Sequence, residues 1–222
     1  MKHKTLIIAP HPDDEVLGCG GIMKRYNAEN KPVFVLIVTR GTPKKYPDDR
    51  IAWGREQALQ AHSVLGVKET FFFDYPAPEL DTIPVSSIAD SIAELISRLK
   101  IDRLFIPHRG DIHIDHSIVF NAALVAARPV GKYSVKLIYA YETLSETEWA
   151  PPYGDNAFIP DHFVNIGPYF QAKLDAMSCY SGQLRPFPNP RSLEAIDALA
   201  RYRGATVGFE KAESFMTIRT IE

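Results

Sequence analysis

Residues 9–21 read Ala-Pro-His-Pro-Asp-Asp-Glu-Val-Leu-Gly-Cys-Gly-Gly. His11, Asp13, Asp14 and Glu15 place one imidazole and three carboxylates within five residues. Like charges this close repel unless a cation or hydrogen-bond donors compensate them. A metal ion supplies that compensation, and His11 with Asp14 forms a His-x-x-Asp pair able to reach one ion. The competing reading is an N-cap, in which Asp13 or Asp14 accepts backbone hydrogen bonds at the start of the next helix.

A second cluster runs His108-Arg109-Gly110-Asp111-Ile112-His113-Ile114-Asp115-His116 and holds three of the seven histidines. A solvated loop with Asp115 as N-cap explains the aspartate but leaves three imidazoles without a purpose. If the two clusters converge, His116 completes a His/Asp/His set with an open position, the donor set of a catalytic zinc site. Zinc lowers the pKa of bound water toward neutrality and polarises a carbonyl. Asp13, a carboxylate beside that water and outside the ligand set, is the candidate general base. His113 is the candidate group for stabilising a tetrahedral oxyanion and protonating a leaving amine. Asp115 is expected to orient it and favour its protonated form. The chemistry is metal-assisted hydrolysis of an amide or ester.

Both clusters need rigid elements that end beside each other. Thr5–Ala9 is a short apolar run stopped by Pro10 and Pro12, and Val33–Thr39 is a second run, rich in β-branched residues. Thr70–Phe73, Leu104–Ile106 and Lys136–Tyr141 read as three more strands. Continuous apolar runs suit a parallel sheet covered on both faces. Val85, Ile88, Ala89, Ile92, Leu95, Ile96 and Leu99 recur at three- and four-residue steps, an amphipathic helix. Val16–Tyr26, Ile51–Leu65 and Ile118–Ala126 fit the same template. The alternation predicts an α/β fold: a Rossmann-like, mostly parallel sheet with helices on both faces. Ligands of such sheets sit beyond the carboxyl ends of the strands, where both clusters fall. Residues 142–168, with four prolines, read as a long loop with one strand near Phe163.

Length and composition bound the rest. The 222 residues, 45% hydrophobic, suit a single domain spanning 1–222. A net charge of −2 supplies no basic field for nucleic acid or an anionic membrane surface. The apolar runs are strand-length, which argues against membrane insertion. Cys19 and Cys179 make neither a disulfide framework nor a cysteine-rich zinc site. Met1–Lys4 lead directly into the first strand, so no secretory signal is expected and the protein reads as cytoplasmic.

Ala9-Pro-His-Pro-Asp-Asp-Glu15, then Gly18–Gly21 and His113-Ile-Asp-His116, resemble the PIG-L/LmbE-like zinc-dependent N-deacetylase family. Arg55-Glu56, Leu65-Gly66 and Ala212–Phe215 extend the resemblance. It implies a Rossmann-like sheet and removal of an N-acetyl group from an amino sugar, often an N-acetylglucosamine attached to a larger group. It implies zinc (Zn2+) on His11, Asp14 and His116, with the base at Asp13 and the acid or oxyanion role at His113. Family members are often assemblies, so a homo-oligomer is compatible with the resemblance. Thr39-Arg40-Gly41-Thr42 departs from the family pattern, and Arg40 reads either as a contact to a substrate anion or as a surface residue. Arg55 resembles a family arginine near the sugar and reads equally as an ion-pair partner of Glu56. Segment 142–190 shows no family pattern, and substrate choice is expected to lie there.

Three other readings stand beside the deacetylase. They are a zinc amidase for a non-sugar N-acyl substrate, an iron(II) oxygenase on the same triad, and an inactive sugar-binding module. A dinucleotide site is disfavoured, because the turn after the first strand holds His-Pro-Asp-Asp where Gly-x-Gly-x-x-Gly would be needed.

Overall fold

The computed structural model describes residues 3–130 and 134–222. Met1 and Lys2, part of the N-terminal reading above, and residues 131–133 lie outside the described residues. The apolar run Thr5–Ala9 forms strand β1, and helix α1 spans Asp14–Ala28. Strand β2 (Val33–Gly41), helix α2 (Asp48–Leu65) and strand β3 (Glu69–Ala77) follow. Helix α3 (Val85–Leu99), strand β4 (Arg103–Pro107), helix α4 (Ile114–Ala126) and strand β5 (Leu137–Tyr141) complete the alternation. Helices α1, α2 and α4 begin two to four residues before the apolar stripe read from the sequence, as helix ends commonly do.

The seven strands among the described residues lie in one sheet. Its order is β3-β2-β1-β4-β5, continued by β7 (Ala212–Thr220) and then β6 (His162–Asn165). The first five strands pair in parallel, whereas β7 runs antiparallel to both neighbours. The chain leaves β1 toward β2 on one side and returns on the other side as β4. The carboxyl ends of β1 and β4 therefore flank the topological switch point, where a crevice opens. Both polar clusters follow these two strands.

Successive strand residues face opposite layers, as a two-residue period requires. Ile7 and Ala9 pack with residues of α1, α2, α5 (Phe170–Cys179) and α6 (Leu193–Ala205). Leu6 and Ile8 pack with α3 and α4. Hence β1, central and covered on both faces, reads as an unbroken apolar run. β3 is an edge strand and only partly buried.

Helix α1 lies unusually close to the sheet and to α5, and its glycines allow this. A Cβ on Gly18 would sit 2.2 Å from the Tyr141 ring, and one on Gly21 would sit 2.6 Å from Ile166. Glu213 of β7 accepts the backbone N–H groups of Gly21 and Ile22, each at 2.7 Å. Lys173 of α5 donates to both Glu213 and Leu17 O at 2.7 Å. This buried pair ties the C-terminal strand and α5 to the helix that carries the first cluster.

β6 is the strand expected near Phe163, and α5, which the sequence pattern does not reveal, follows the 142–168 stretch. Among the described residues, no helix is long and apolar enough to cross a membrane.

Candidate active site

Pro10 ends β1, and its carbonyl accepts from Thr39 N (3.1 Å) and Thr39 Oγ1 (2.8 Å), which ties the His11 turn to β2. Asp13 then adopts φ 104°, a left-handed conformation that costs energy for a non-glycine residue. The Glu15 carboxylate holds it there, accepting the Asp13 N–H at 3.2 Å. Glu15 is fully buried, receives the Tyr180 hydroxyl at 2.5 Å and faces His62 Nε2 at 3.1 Å. His62 reaches Thr70 Oγ1 through its other nitrogen. His62 and Glu15 are thus a buried brace beneath the turn.

The N-cap readings of the aspartates do not describe this geometry. Asp13 precedes α1 but makes no side-chain cap bond, and Asp14 Oδ2 accepts from His11 N at 2.9 Å. At α4 the cap is His113, whose Nδ1 accepts the Asp115 N–H at 3.2 Å. Two helix N-termini, those of α1 and α4, converge on the crevice and favour the carboxylates there.

The two clusters meet. The ring centroids of His11, His113 and His116 are 4.5, 5.5 and 5.9 Å apart. One donor atom each from His11, Asp14 and His116 lies within 4.8 Å of the others. Asp14 Oδ2 stands 3.3 Å from both His11 Nδ1 and His116 Nε2. His116 Nδ1 donates to Asp111 Oδ2 at 2.7 Å, which fixes the ring and leaves Nε2 directed into the cluster. Asp111 Oδ1 in turn receives Thr147 Oγ1 at 2.6 Å.

A divalent cation fits this donor set. Asp14 Oδ1 and His116 Nε2 are buried without a hydrogen-bond partner among the described residues, an arrangement that costs free energy unless something coordinates them. Protonation shows the same demand for positive charge. Burial opposes charging His11, but Asp115 and Asp14 outweigh it and raise the ring to about 9. His116 is likewise raised to about 10, its burial outweighed by Asp14 and Asp111. Burial also opposes ionised Asp14, yet His116 and His11 hold it well below the usual carboxylate range.

Asp13 stays outside this set and faces the cleft. Burial pushes its carboxyl up to about 8 against the pull of Arg191. Arg191, just before α6, places Nη1 3.3 Å from Asp13 Oδ2 and Nη2 3.5 Å from Glu146 Oε1. It also donates to Ser145 Oγ (2.7 Å) and Gln183 Oε1 (3.1 Å). Burial, with Asp14 adding, pushes Glu146 up to about 7.

Asp115 sits between the two clusters, beside both His11 and His113. Asp115 Oδ2 lies 3.0 Å from His11 Nε2 and 3.9 Å from His113 Nδ1, so this carboxylate serves His11. Burial and the neighbouring His11 lower the pKa of His113. With Nδ1 accepting the Asp115 N–H, the His113 proton resides on Nε2 and the ring is a neutral donor.

A cleft of about 360 Å³ opens over these groups. Arg40 and Arg55 both line it. Arg40 pairs with Asp48 at 2.9 Å, and Arg55 pairs with Asp74, not with the adjacent Glu56. Trp53 of α2 packs over Gly182, where a Cβ would come within 2.6 Å of the indole. His108 is buried against Asn156 O. Glu146, Tyr180 and Arg191 surround the site without carrying a sequence motif of their own. Asp111 lies within the second cluster, whereas nothing local marks Arg191.

The family model described as GlcNAc-PI de-N-acetylase (PIG-L) matches residues 6–127, which include both clusters. The chain is 30% identical over 177 residues to an "uncharacterized deacetylase YaiS" of Escherichia coli K12, covering 78% of this chain and 87% of that one. It is 25% identical to a "probable N-acetyl-alpha-D-glucosaminyl L-malate deacetylase 2" of Bacillus cereus, over 99% of each. The fold matches the crystal structure of GalB, a 4-carboxy-2-hydroxymuconate hydratase of Pseudomonas putida, with a TM-score of 0.79 and 20% identity. That match covers 100% of this chain and 99% of the hydratase.

Proposed function

Because the chain belongs to the PIG-L family, we propose that it is a metal-dependent N-deacetylase that hydrolyses the acetamide of an amino sugar or an N-acetylglucosamine-type glycoconjugate. The fold alone does not select the reaction, since a hydratase shares it. The observation that carries the reading is the division of labour within one crevice. His11, Asp14 and His116 present converging donors, while Asp13 faces the same space with a carboxylate committed to none of them. The relatives named as deacetylases support the choice of an N-acetyl substrate.

His11, Asp14 and His116 would hold the cation, with zinc as the fitting choice for two imidazoles and a carboxylate. Bound there, it would lower the pKa of a water molecule and polarise the substrate carbonyl. Asp13 takes a proton from the attacking water as the oxygen bonds to the acetamide carbon. Arg191 and the Glu15 brace hold that carboxylate in place. His113 offers its Nε2–H to the oxyanion that develops. The C–N bond then breaks, the proton gathered by Asp13 is available to the leaving nitrogen, and free amine and acetate depart. Asp115 anchors His11, and Asp111 anchors His116.

Acetate release from a panel of N-acetylated sugars and glycoconjugates, with zinc-loaded and metal-stripped protein side by side, tests the reading. Zinc-dependent acetate is the expected result. Replacing Asp13 with Asn should keep the metal and lower turnover by about 10²–10⁴-fold. Metal-loaded protein that frees no acetate from any panel member would refute deacetylation of these sugars, and protein that binds no metal would refute the site.

A further inference from the structure

The strands that carry the two catalytic clusters hold a second polar group at their opposite ends. Thr5 and Arg103 open β1 and β4 and are register partners, so their side chains leave the same face of the sheet. Four residues of rise along each strand, about 13 Å, separate them from the crevice. Tyr26, near the end of α1, covers Arg103, whose guanidinium lies 4.8 Å from the ring centroid. Lys31, in the turn from α1 to β2, places Nζ 5.1 Å from the same centroid. Tyr139 of β5 and His162 of β6 stack at 4.6 Å beside them.

Arg103 is 8% exposed, and its Nε and Nη1 are buried without a hydrogen-bond partner among the described residues. Thr5 is fully buried, and its Oγ1 is orphaned in the same way. An arginine cannot shed its proton to escape burial, and an uncompensated buried charge is strongly unfavourable. The Tyr26 ring answers the charge through its face but offers nothing to the in-plane N–H groups. The carboxylates nearby are committed. Asp102 pairs with His3 and accepts the Lys4 backbone N–H, while Glu29 pairs with both Arg25 and Lys31. Burial lowers the pKa of His162, and Arg103 and Arg25 lower it further against Asp161. The cluster is thus net positive, although the whole chain carries −2.

We propose that Thr5 and Arg103 form the base of an anion site, separate from the catalytic crevice, that takes a phosphate group. A tetrahedral oxyanion accepts from the Arg103 fork and from Thr5 Oγ1 together. Its multiple charge suits three cations, of which Arg25 and Lys31 already share Glu29. A water molecule in the same place satisfies the donors but leaves the charge uncompensated. The proposal uses none of the crevice residues and is independent of the deacetylase reading.

Calorimetric titration and thermal melts of the metal-loaded full chain test the site, in buffer free of other oxyanions. The probes are inorganic phosphate, methyl phosphate and acetate at equal ionic strength. Phosphate binding should saturate, and about 10 mM phosphate should raise the wild-type melting temperature by about 2–4 °C over acetate. Arg103→Met keeps the volume, removes the charge and should weaken phosphate binding about tenfold or more. Thr5→Val removes one oxygen from the same pocket and should weaken it about three- to tenfold. Whatever phosphate does at the metal is common to all three proteins, so the differences read this site. Methyl phosphate binding as tightly as the free ion assigns an esterified ligand, and weaker methyl phosphate binding assigns inorganic phosphate.

Equal phosphate affinity in wild type and both variants places the anion elsewhere. The absence of saturable phosphate binding leaves the pocket to water. Either result overturns the proposal, and Thr5→Val alone decides between them and the expected loss should Arg103→Met fail to fold.

Discussion

Arg191 Nη1 lies 3.3 Å from Asp13 Oδ2, and the same guanidinium reaches Glu146 at 3.5 Å. One side chain from the loop before α6 thus spans the candidate base and the segment after β5. Asp13 Oδ2 is buried and has no other partner among the described residues. Replacing Arg191 with Met should therefore release the carboxylate from its working orientation and bias it toward the protonated form. Turnover is expected to fall about 10–100-fold with metal content unchanged, the usual effect of losing an orienting partner. Arg191→Lys should recover part of it, since a single ammonium restores charge but not the fork. Steady-state kinetics with metal analysis checks this, and wild-type turnover in Arg191→Met would remove the residue from the catalytic argument.

Asp111 makes a separate claim on the metal. Its Oδ2 receives His116 Nδ1 at 2.7 Å and its Oδ1 receives Thr147 Oγ1 at 2.6 Å. Asp111→Asn keeps the shape but removes the charge that favours a fixed, basic imidazole. Metal affinity should weaken about 10–100-fold, read by competition with a chromogenic chelator. An unaltered affinity would show that His116 is oriented by packing alone.

These two residues also show where the sequence was legible. Asp111 sits inside a motif, five residues before His116, and its cluster drew attention. Arg191 lies in a loop with no periodicity and is placed only by the tertiary path of α5 and α6. The five parallel strands and α1–α4 were readable, because a strand covered on both faces leaves an apolar run and α3 leaves a clean stripe. Helix α5 was not, because it buries Lys173 where a stripe would need an apolar residue. Strand β7 was masked in the same way by Glu213 and Ser214, both buried. The Lys173–Glu213 pair makes sense only when both partners and the amides of α1 are in place. Local reading also saw only part of Asp115, whose carboxylate lies nearer a histidine of the other cluster than His113.

The glycines of α1 are a packing requirement that the sequence displays without explaining. A Cβ at Gly18 would meet the Tyr141 ring at 2.2 Å, and that ring is fixed by its hydroxyl bond to Ile8 O at 2.9 Å. Helix propensity favours alanine over glycine by about 1 kcal/mol, so an unconstrained site would gain stability from Gly18→Ala. Here overpacking should win, destabilising the protein by about 1–3 kcal/mol. Urea denaturation measures the difference, and a stabilised Gly18→Ala protein would show that α1 can retreat from β5 at little cost.

The titration of the site predicts opposite pH trends for the metal-free and metal-loaded protein. Asp13 titrates at about 8 against an ordinary 3.8, and Glu146 at about 7 against 4.5. His11 and His116 titrate at about 9 and about 10 against 6.5. In all four the folded state holds its proton more tightly than the unfolded chain does. Each contribution is complete below the unfolded value and is lost as pH rises through the folded one. Metal-free protein should therefore lose stability steadily from about pH 4 to about pH 10. Asp14, held well below the usual carboxylate range, has the opposite sign but acts only below that window. A cation requires the same imidazoles without their protons, so its binding releases protons and strengthens as pH rises. The gain in melting temperature on adding zinc should accordingly grow between pH 6 and pH 9, while the metal-free melting temperature falls. Thermal melts across that range, with and without the ion, read both slopes. A zinc-induced gain independent of pH would mean that the ion binds somewhere other than His11, Asp14 and His116.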